Sequence, residues 1–267
     1  MDPVDRLADQ LNDLLERLDP VLPPTTAAPD WSRSSAFRWR RRQGRGHLEP
    51  IPHPQRLHLA SLHHIDAQRD ALERNTRQFL AGLPANNALL WGSRGTGKSS
   101  LIKALLTEHQ AQGLRVIEVE AHDLVDLPDI VELLHSRPER FVLFCDDLSF
   151  EADDASYKAL KAVLDGSLAA APDNVVVYAT SNRRHLMPEY QADNDAAQMV
   201  DGEIHHGEAV EEKVSLSERF GLWLSFYPFD QQRYLDICFA WLTELGADGS
   251  DADSIRAEAL RYALARG

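Results

Sequence analysis

The fold is decided by Asn87-Ala88-Leu89-Leu90-Trp91-Gly92-Ser93-Arg94-Gly95-Thr96-Gly97-Lys98-Ser99. A short apolar run ends at a glycine loop, and a helical pattern follows from Ser99 to His109. The loop from Gly92 to Ser99 fits G-x-x-x-x-G-K-[ST] between a strand and a helix. Its glycines let successive backbone N–H groups turn inward on a phosphate chain. The helix N-terminus adds partial positive charge. Lys98 supplies a point charge for the β- and γ-phosphates, and the Ser99 hydroxyl is an oxygen ligand for Mg²⁺.

Downstream, Phe141-Val142-Leu143-Phe144-Cys145-Asp146-Asp147 is an apolar strand that ends in acids. In an open α/β sheet that end faces the phosphate loop. Asp146 is therefore the candidate Mg²⁺ acid, and Asp147 the group that orients or deprotonates water. The alternative for Asp147 is a cap on the next helix, at Tyr157 to Leu168, where Asp153 or Asp154 is also a candidate. Ala179-Thr180-Ser181-Asn182 ends the next apolar strand and puts an amide near the same site. Ser217-Glu218-Arg219-Phe220-Gly221 precedes the last strand candidate, Leu222 to Tyr227. Strands also read at Leu114–Val119 and Asn174–Ala179, with helices at Ile65–Leu80, Ile130–His135, Gln231–Leu245 and Ser254–Ala265. Apolar strands alternating with helices predict a parallel sheet covered on both faces.

Composition agrees with that class. The chain has 267 residues and a formal net charge of −14. Two distant cysteines, Cys145 and Cys238, exclude a disulfide scaffold and suit a reducing compartment. No run approaches the roughly 20 apolar residues of a membrane helix. The acidic start, Met1-Asp2-Pro3-Val4-Asp5, predicts no signal peptide, and a cytoplasmic location is expected.

These elements, in this order and with a helical appendage behind them, resemble the AAA+ ATPases over about Leu57 to Gly267. The runs Leu83 to Gly92, Phe144 to Phe150, Thr180 to Leu186 and Leu216 to Gly221 are similar to a bacterial branch, a domain-of-unknown-function family of ATP-binding proteins. The resemblance implies an αβα sandwich with a five-stranded parallel sheet ordered 5-1-4-3-2 and a small C-terminal helical lid. It implies that Gly92, Ser93, Arg94, Gly95, Thr96, Gly97, Lys98, Ser99 and Ser100 bind ATP, and that Ile65 lines the adenine pocket. Ser99 and Asp146 would hold Mg²⁺, while Asp147, Asn182 and Arg219 would act in catalysis. Arg219 would enter a neighbour's site in a nucleotide-dependent, hexamer-type ring. The alternative for Arg219 is an ordinary surface salt bridge.

Two departures stand out. Asp147 fills a position where most such proteins have glutamate, one methylene longer, which predicts slow hydrolysis. Arg256, Arg261 and Arg266 offer no clear sensor-2 context in the lid. The expected organisation is an N-terminal helix and Arg-rich linker over 1–56, a nucleotide-binding domain over 57–229 with a polar insertion at 185–213, and a lid over 230–267. The leading function is ATP hydrolysis coupled to remodelling a protein or nucleic-acid partner. A slow or non-hydrolysing switch or loader-like adaptor competes with it. A P-loop kinase is a third reading, disfavoured because no arginine-rich acceptor lid lies between the strands.

Other signals are weaker. Leu7, Leu11, Leu14, Leu15 and Leu18 form one face of a helix with an acidic polar side, which fits packing better than membrane anchoring. Phe37-Arg38-Trp39-Arg40-Arg41-Arg42, followed by Arg45, fits nucleic acid, an acidic partner or the protein's own acidic surface. The histidines, His205-His206 included, lack metal-site spacing. Cys145 is expected in the core, not as a nucleophile. No aromatic lies between Val119 and Phe141, which argues against a threading pore loop.

Overall fold

The computed structural model describes residues 29–42, 45–150, 154–165, 172–184, 186, 198–200, 203–205, 216–247 and 251–266. The leucine-faced helix of residues 7–18 and most of the 185–213 insertion lie outside them. So does Asp153.

The elements in chain order are β1 (Ala36–Arg42), β2 (Arg45–Pro50), α1 (Asp66–Leu80), β3 (Ala88–Gly92), α2 (Lys98–His109), β4 (Leu114–Glu118), α3 (Leu127–Leu134), β5 (Arg140–Cys145), α4 (Ala155–Asp165), β6 (Val175–Ser181), β7 (Gln198–Val200), β8 (Glu203–His205), β9 (Leu222–Phe226), α5 (Gln231–Glu244) and α6 (Ala252–Arg266). The short β7 and β8 pair antiparallel within the expected insertion. Asp154 and Asp230 start α4 and α5, their side chains accepting from Ser156 N and Arg233 N.

The main sheet corrects the expected five strands: it has seven, in the order β2-β1-β4-β5-β6-β3-β9. All its pairs are parallel except β1 with β2. The two extra strands come from the stretch expected as a linker. Phe37 and Trp39 are buried, while Arg38 and Arg40 alternate with them and stay half exposed. The arginines meet the protein's own carboxylates. Arg38 lies 2.6 Å from Glu118, Arg40 2.6 Å from Glu120, and Arg41 3.1 Å from Asp126. Trp39 Nε1 donates to Asp126 at 2.9 Å.

Alternation along the parallel strands divides the core in two. Leu89, Ile117, Leu143 and Val177 point to one side and meet α3 and α4. Leu90, Val116, Val142 and Val176 point to the other and meet α1 and α2. Residues buried on alternate faces explain why each strand reads as an unbroken apolar run. Beyond the sheet, α5 buries Leu235, and Tyr234 Oη donates to Ala259 O of α6 at 3.1 Å.

Candidate functional site

At the carboxyl end of β3 the chain turns sharply through Gly92, with φ 129°. A Cβ there would come within 1.9 Å of the Phe226 carbonyl oxygen, so only glycine fits. Ser93 N donates to that same oxygen at 3.0 Å, tying the loop to β9. Gly97, left-handed at φ 94°, precedes α2 and supplies no side-chain cap. The first N–H groups of α2 are thus left for an anion.

Lys98 is buried, 7% exposed. Its Nζ donates to Gly92 O and Ser93 O at 2.8 Å, and to Asn182 Oδ1 at 3.1 Å. Burial lowers its pKa, and Asp147 and Asp146 push it back up. Asn182 Nδ2 donates to Asp147 Oδ1 at 2.6 Å. Ser99 Oγ donates to Asp146 Oδ1 at 2.6 Å. Around these groups lies a cavity of about 260 Å³, lined also by Arg94, Gly95, Gly97, Ser100 and Thr180. Thr96 is buried and donates to Ser93 O at 2.7 Å, bracing the loop from inside.

A second cavity of about 200 Å³ shares Gly95, Gly97 and Ser100 with the first. Ile65, Leu62, Phe229, Ile237 and Trp241 give it apolar walls from the entry to α1 and from α5 and the residues before it. Together the two form a polar chamber beside a more apolar one. A larger cavity of about 380 Å³, lined by Arg33, Arg56 and Arg115, lies toward the far end of α2 and touches none of these residues.

The donor set fits Mg²⁺. One hydroxyl and one carboxylate converge, both hard oxygen ligands of the kind Mg²⁺ takes, and the remaining ligands would come from phosphate oxygens and water. Among the described residues no cluster of three His, Cys, Asp or Glu could cage an ion without a phosphate ligand. Cys145 is fully buried, and burial pushes its thiol up to about 12, the neighbouring Asp146 adding to the rise. It is a core residue, not a nucleophile.

Nearly all the residues singled out in the sequence come together here: the loop, Lys98, Ser99, Ser100, Asp146, Asp147, Asn182 and, in the adjoining cavity, Ile65. Arg219 does not. Parallel pairing sets Ala88 beside Leu222 and Gly92 beside Phe226, and Arg219 precedes Leu222. At about 3.3 Å per residue, β9 alone separates it from the phosphate loop by roughly 15 Å. Arg219 Nε meets Asp165 at the end of α4. Thr180, quoted only as part of a run, proves to touch both acids. The signal was its place: a polar residue closing an apolar strand next to the acid-bearing one.

A glycine loop joining β3 to α2, two acids following β5 and a polar end to β6, the strand between β5 and β3, fit a P-loop protein of the AAA+ class. The sequence profile of the family described as "Protein of unknown function (DUF815)" matches residues 32–267, and the chain belongs to that family. No curated protein sequence matches it. Among solved structures it is similar to a variant of RuvB from Thermotoga maritima, with 17% identity over 73% of this chain and 54% of that one, TM-score 0.49. It is also similar to the Thermotoga maritima RuvB Holliday junction branch migration motor, with 16% identity over 67% and 51%, TM-score 0.45. For AMPPCP-bound DnaA from Aquifex aeolicus the figures are 18%, 72% and 56%, TM-score 0.47. The chain covers just over half the length of these structures.

Proposed function

We propose that this chain is a Mg²⁺-dependent ATP hydrolase that works in a ring-like homo-oligomer, cytoplasmic, and couples its cycle to remodelling a protein or nucleic-acid partner. The observation that carries the reading is Asn182, whose amide joins Lys98 to Asp147 across the phosphate cavity. Backbone N–H groups from Gly92 to Ser100 cradle the phosphates, with Arg94 at the open rim. Lys98 exchanges its carbonyl partners for β- and γ-oxygens. Ser99 and Asp146 would hold Mg²⁺, and the ion would supply charge neutralisation at the phosphates. Asp147 orients the attacking water and takes its proton, and Asn182 contacts the γ-phosphate. Arg219 serves a neighbour's site. The ring of adenine lies against Ile65.

In this reading residues 57–229 form the nucleotide-binding domain, with the β1–β2 hairpin added to its sheet, and residues 230–267 form the lid. Arg261 pairs with Glu258 at 2.8 Å and Arg256 is exposed; neither lines either of the two cavities. A slow switch or adaptor is the second reading. It is favoured by aspartate at position 147, since a misplacement of about 1 Å at the water can cost on the order of a hundredfold.

The test is the ATPase rate per subunit against protein concentration, with Mg²⁺ and with Lys98→Ala as the blank. A specific rate that rises with concentration supports the composite site. Measurable ATP binding with a flat, near-zero rate removes hydrolysis and leaves the switch. Unchanged nucleotide binding in Lys98→Ala would overturn both.

A further inference from the structure

Thr180 is the penultimate residue of β6 and is 2% exposed. Its Oγ1 donates to Asp146 Oδ1 at 2.5 Å and accepts the N–H of Asp147 at 2.8 Å. One hydroxyl therefore holds the side chain of the first acid and the backbone of the second. Asp146 is held from two sides, by Thr180 and by Ser99. Asp147 is one of only two non-glycine residues at positive φ among the described residues, at 54°. That conformation is uncommon for a residue with a Cβ, and such positions persist where the surroundings impose them. The next amide, Leu148 N, donates to Thr180 O at 2.7 Å, so the turn is fixed at consecutive residues.

We propose that Thr180 is a positioning residue for both acids of this site, an inference that rests on the ATPase reading above. By pinning the Asp147 N–H it sets the left-handed turn from which the short aspartate side chain reaches Asn182 over the phosphate loop. By donating to Asp146 it keeps that carboxylate turned to Ser99, ready for Mg²⁺. The bland alternative is that Thr180 only fills space between β6 and β5. In that case valine, of nearly the same shape and fully apolar, would serve as well.

Thr180→Val and Thr180→Ser separate the two. In metal-free protein, amide exchange at Asp147 is expected to quicken about tenfold or more in Thr180→Val and to stay near wild type in Thr180→Ser. The Mg²⁺ concentration at half-maximal ATP binding, followed by Trp91 fluorescence next to the loop, is expected to rise 10- to 100-fold in Thr180→Val. ATP affinity without Mg²⁺ stays unchanged, and serine restores both readouts. Wild-type exchange and wild-type Mg²⁺ dependence in Thr180→Val would overturn the proposal. If the wild type binds ATP without turnover, the hydrolysis reading fails while exchange and Mg²⁺ dependence still decide the role of Thr180. If it binds no ATP, exchange alone decides. Should Thr180→Val not fold, Thr180→Ala carries the same readouts.

Discussion

Asp147 combines two demands that rarely meet in one residue. Its backbone is left-handed, which costs most side chains about 1–2 kcal/mol, while aspartate and asparagine tolerate it through their short polar side chains. Its carboxylate lies 2.6 Å from Asn182 beside the glycine loop, where the proposed hydrolysis needs a base for water. Asn and Ala at this position separate the two demands. Asp147→Asn keeps the turn and loses the base, so the urea midpoint should stay near wild type while kcat falls about 100-fold or more. Asp147→Ala should lose the same activity and also about 1 kcal/mol of stability. Equal stability of the two variants would show that the backbone position is not strained. A glutamate here, the commoner residue in the class, would have to adopt the same left-handed turn with a longer side chain. The sequence showed that the acid was short. It did not show that a buried threonine aims it.

Among the secondary-structure elements, the β1–β2 hairpin carries the most independent information. It adds to the β4 edge of a sheet that would otherwise begin there, and its arginines face Glu118, Glu120 and Asp126. Asp126 is the keystone, since it accepts from the buried Trp39 indole as well as from Arg41. Asp126→Ala strands that indole N–H and should cost about 1–3 kcal/mol in urea unfolding. Asp126→Asn keeps an acceptor for Trp39 and gives up only the partly exposed ion pair, so its loss should stay within about 1 kcal/mol. A mild effect of alanine would mean that the hairpin is held by the apolar packing of Phe37, Trp39 and Leu48. Arg38, Arg40 and Arg41 are already engaged, which weakens the nucleic-acid reading of this stretch. The parallel strands were legible because they are buried on both faces and read as apolar runs. The hairpin was not, because its inward residues Phe37, Trp39 and Leu48 are few and arginines fill the alternate positions of β1. Pro and Ser around it read as linker, and the acids that neutralise it lie about 80 residues away in sequence. The glycine loop was legible without tertiary information, since its reading rests on its own residues and their spacing.

At the scale of the whole molecule, the phosphate loop and Arg219 lie toward opposite ends of the parallel strands β3 and β9. No movement of side chains spans that gap of roughly 15 Å within one subunit. If Arg219 acts on ATP at all, it acts on the ATP of a neighbour. Two different patches then meet across each contact, and such a head-to-tail interface closes into a ring or runs on as a filament. Arg219→Ala should therefore leave ATP affinity intact and lower the rate about 10³-fold or more. Lys98→Ala should bind no ATP while its Arg219 remains whole. Each variant alone is nearly inactive, but mixing them creates contacts in which an intact loop faces an intact arginine. In a random equimolar assembly about one contact in four is of this kind, because each contact pairs one subunit's loop with its neighbour's arginine. The mixture should recover a comparable fraction of the wild-type rate, and recovery should fade on dilution. An Arg219 that serves only contacts within its own subunit, such as the one to Asp165, would give no recovery on mixing. It would instead betray itself by a near-normal rate in Arg219→Ala alone.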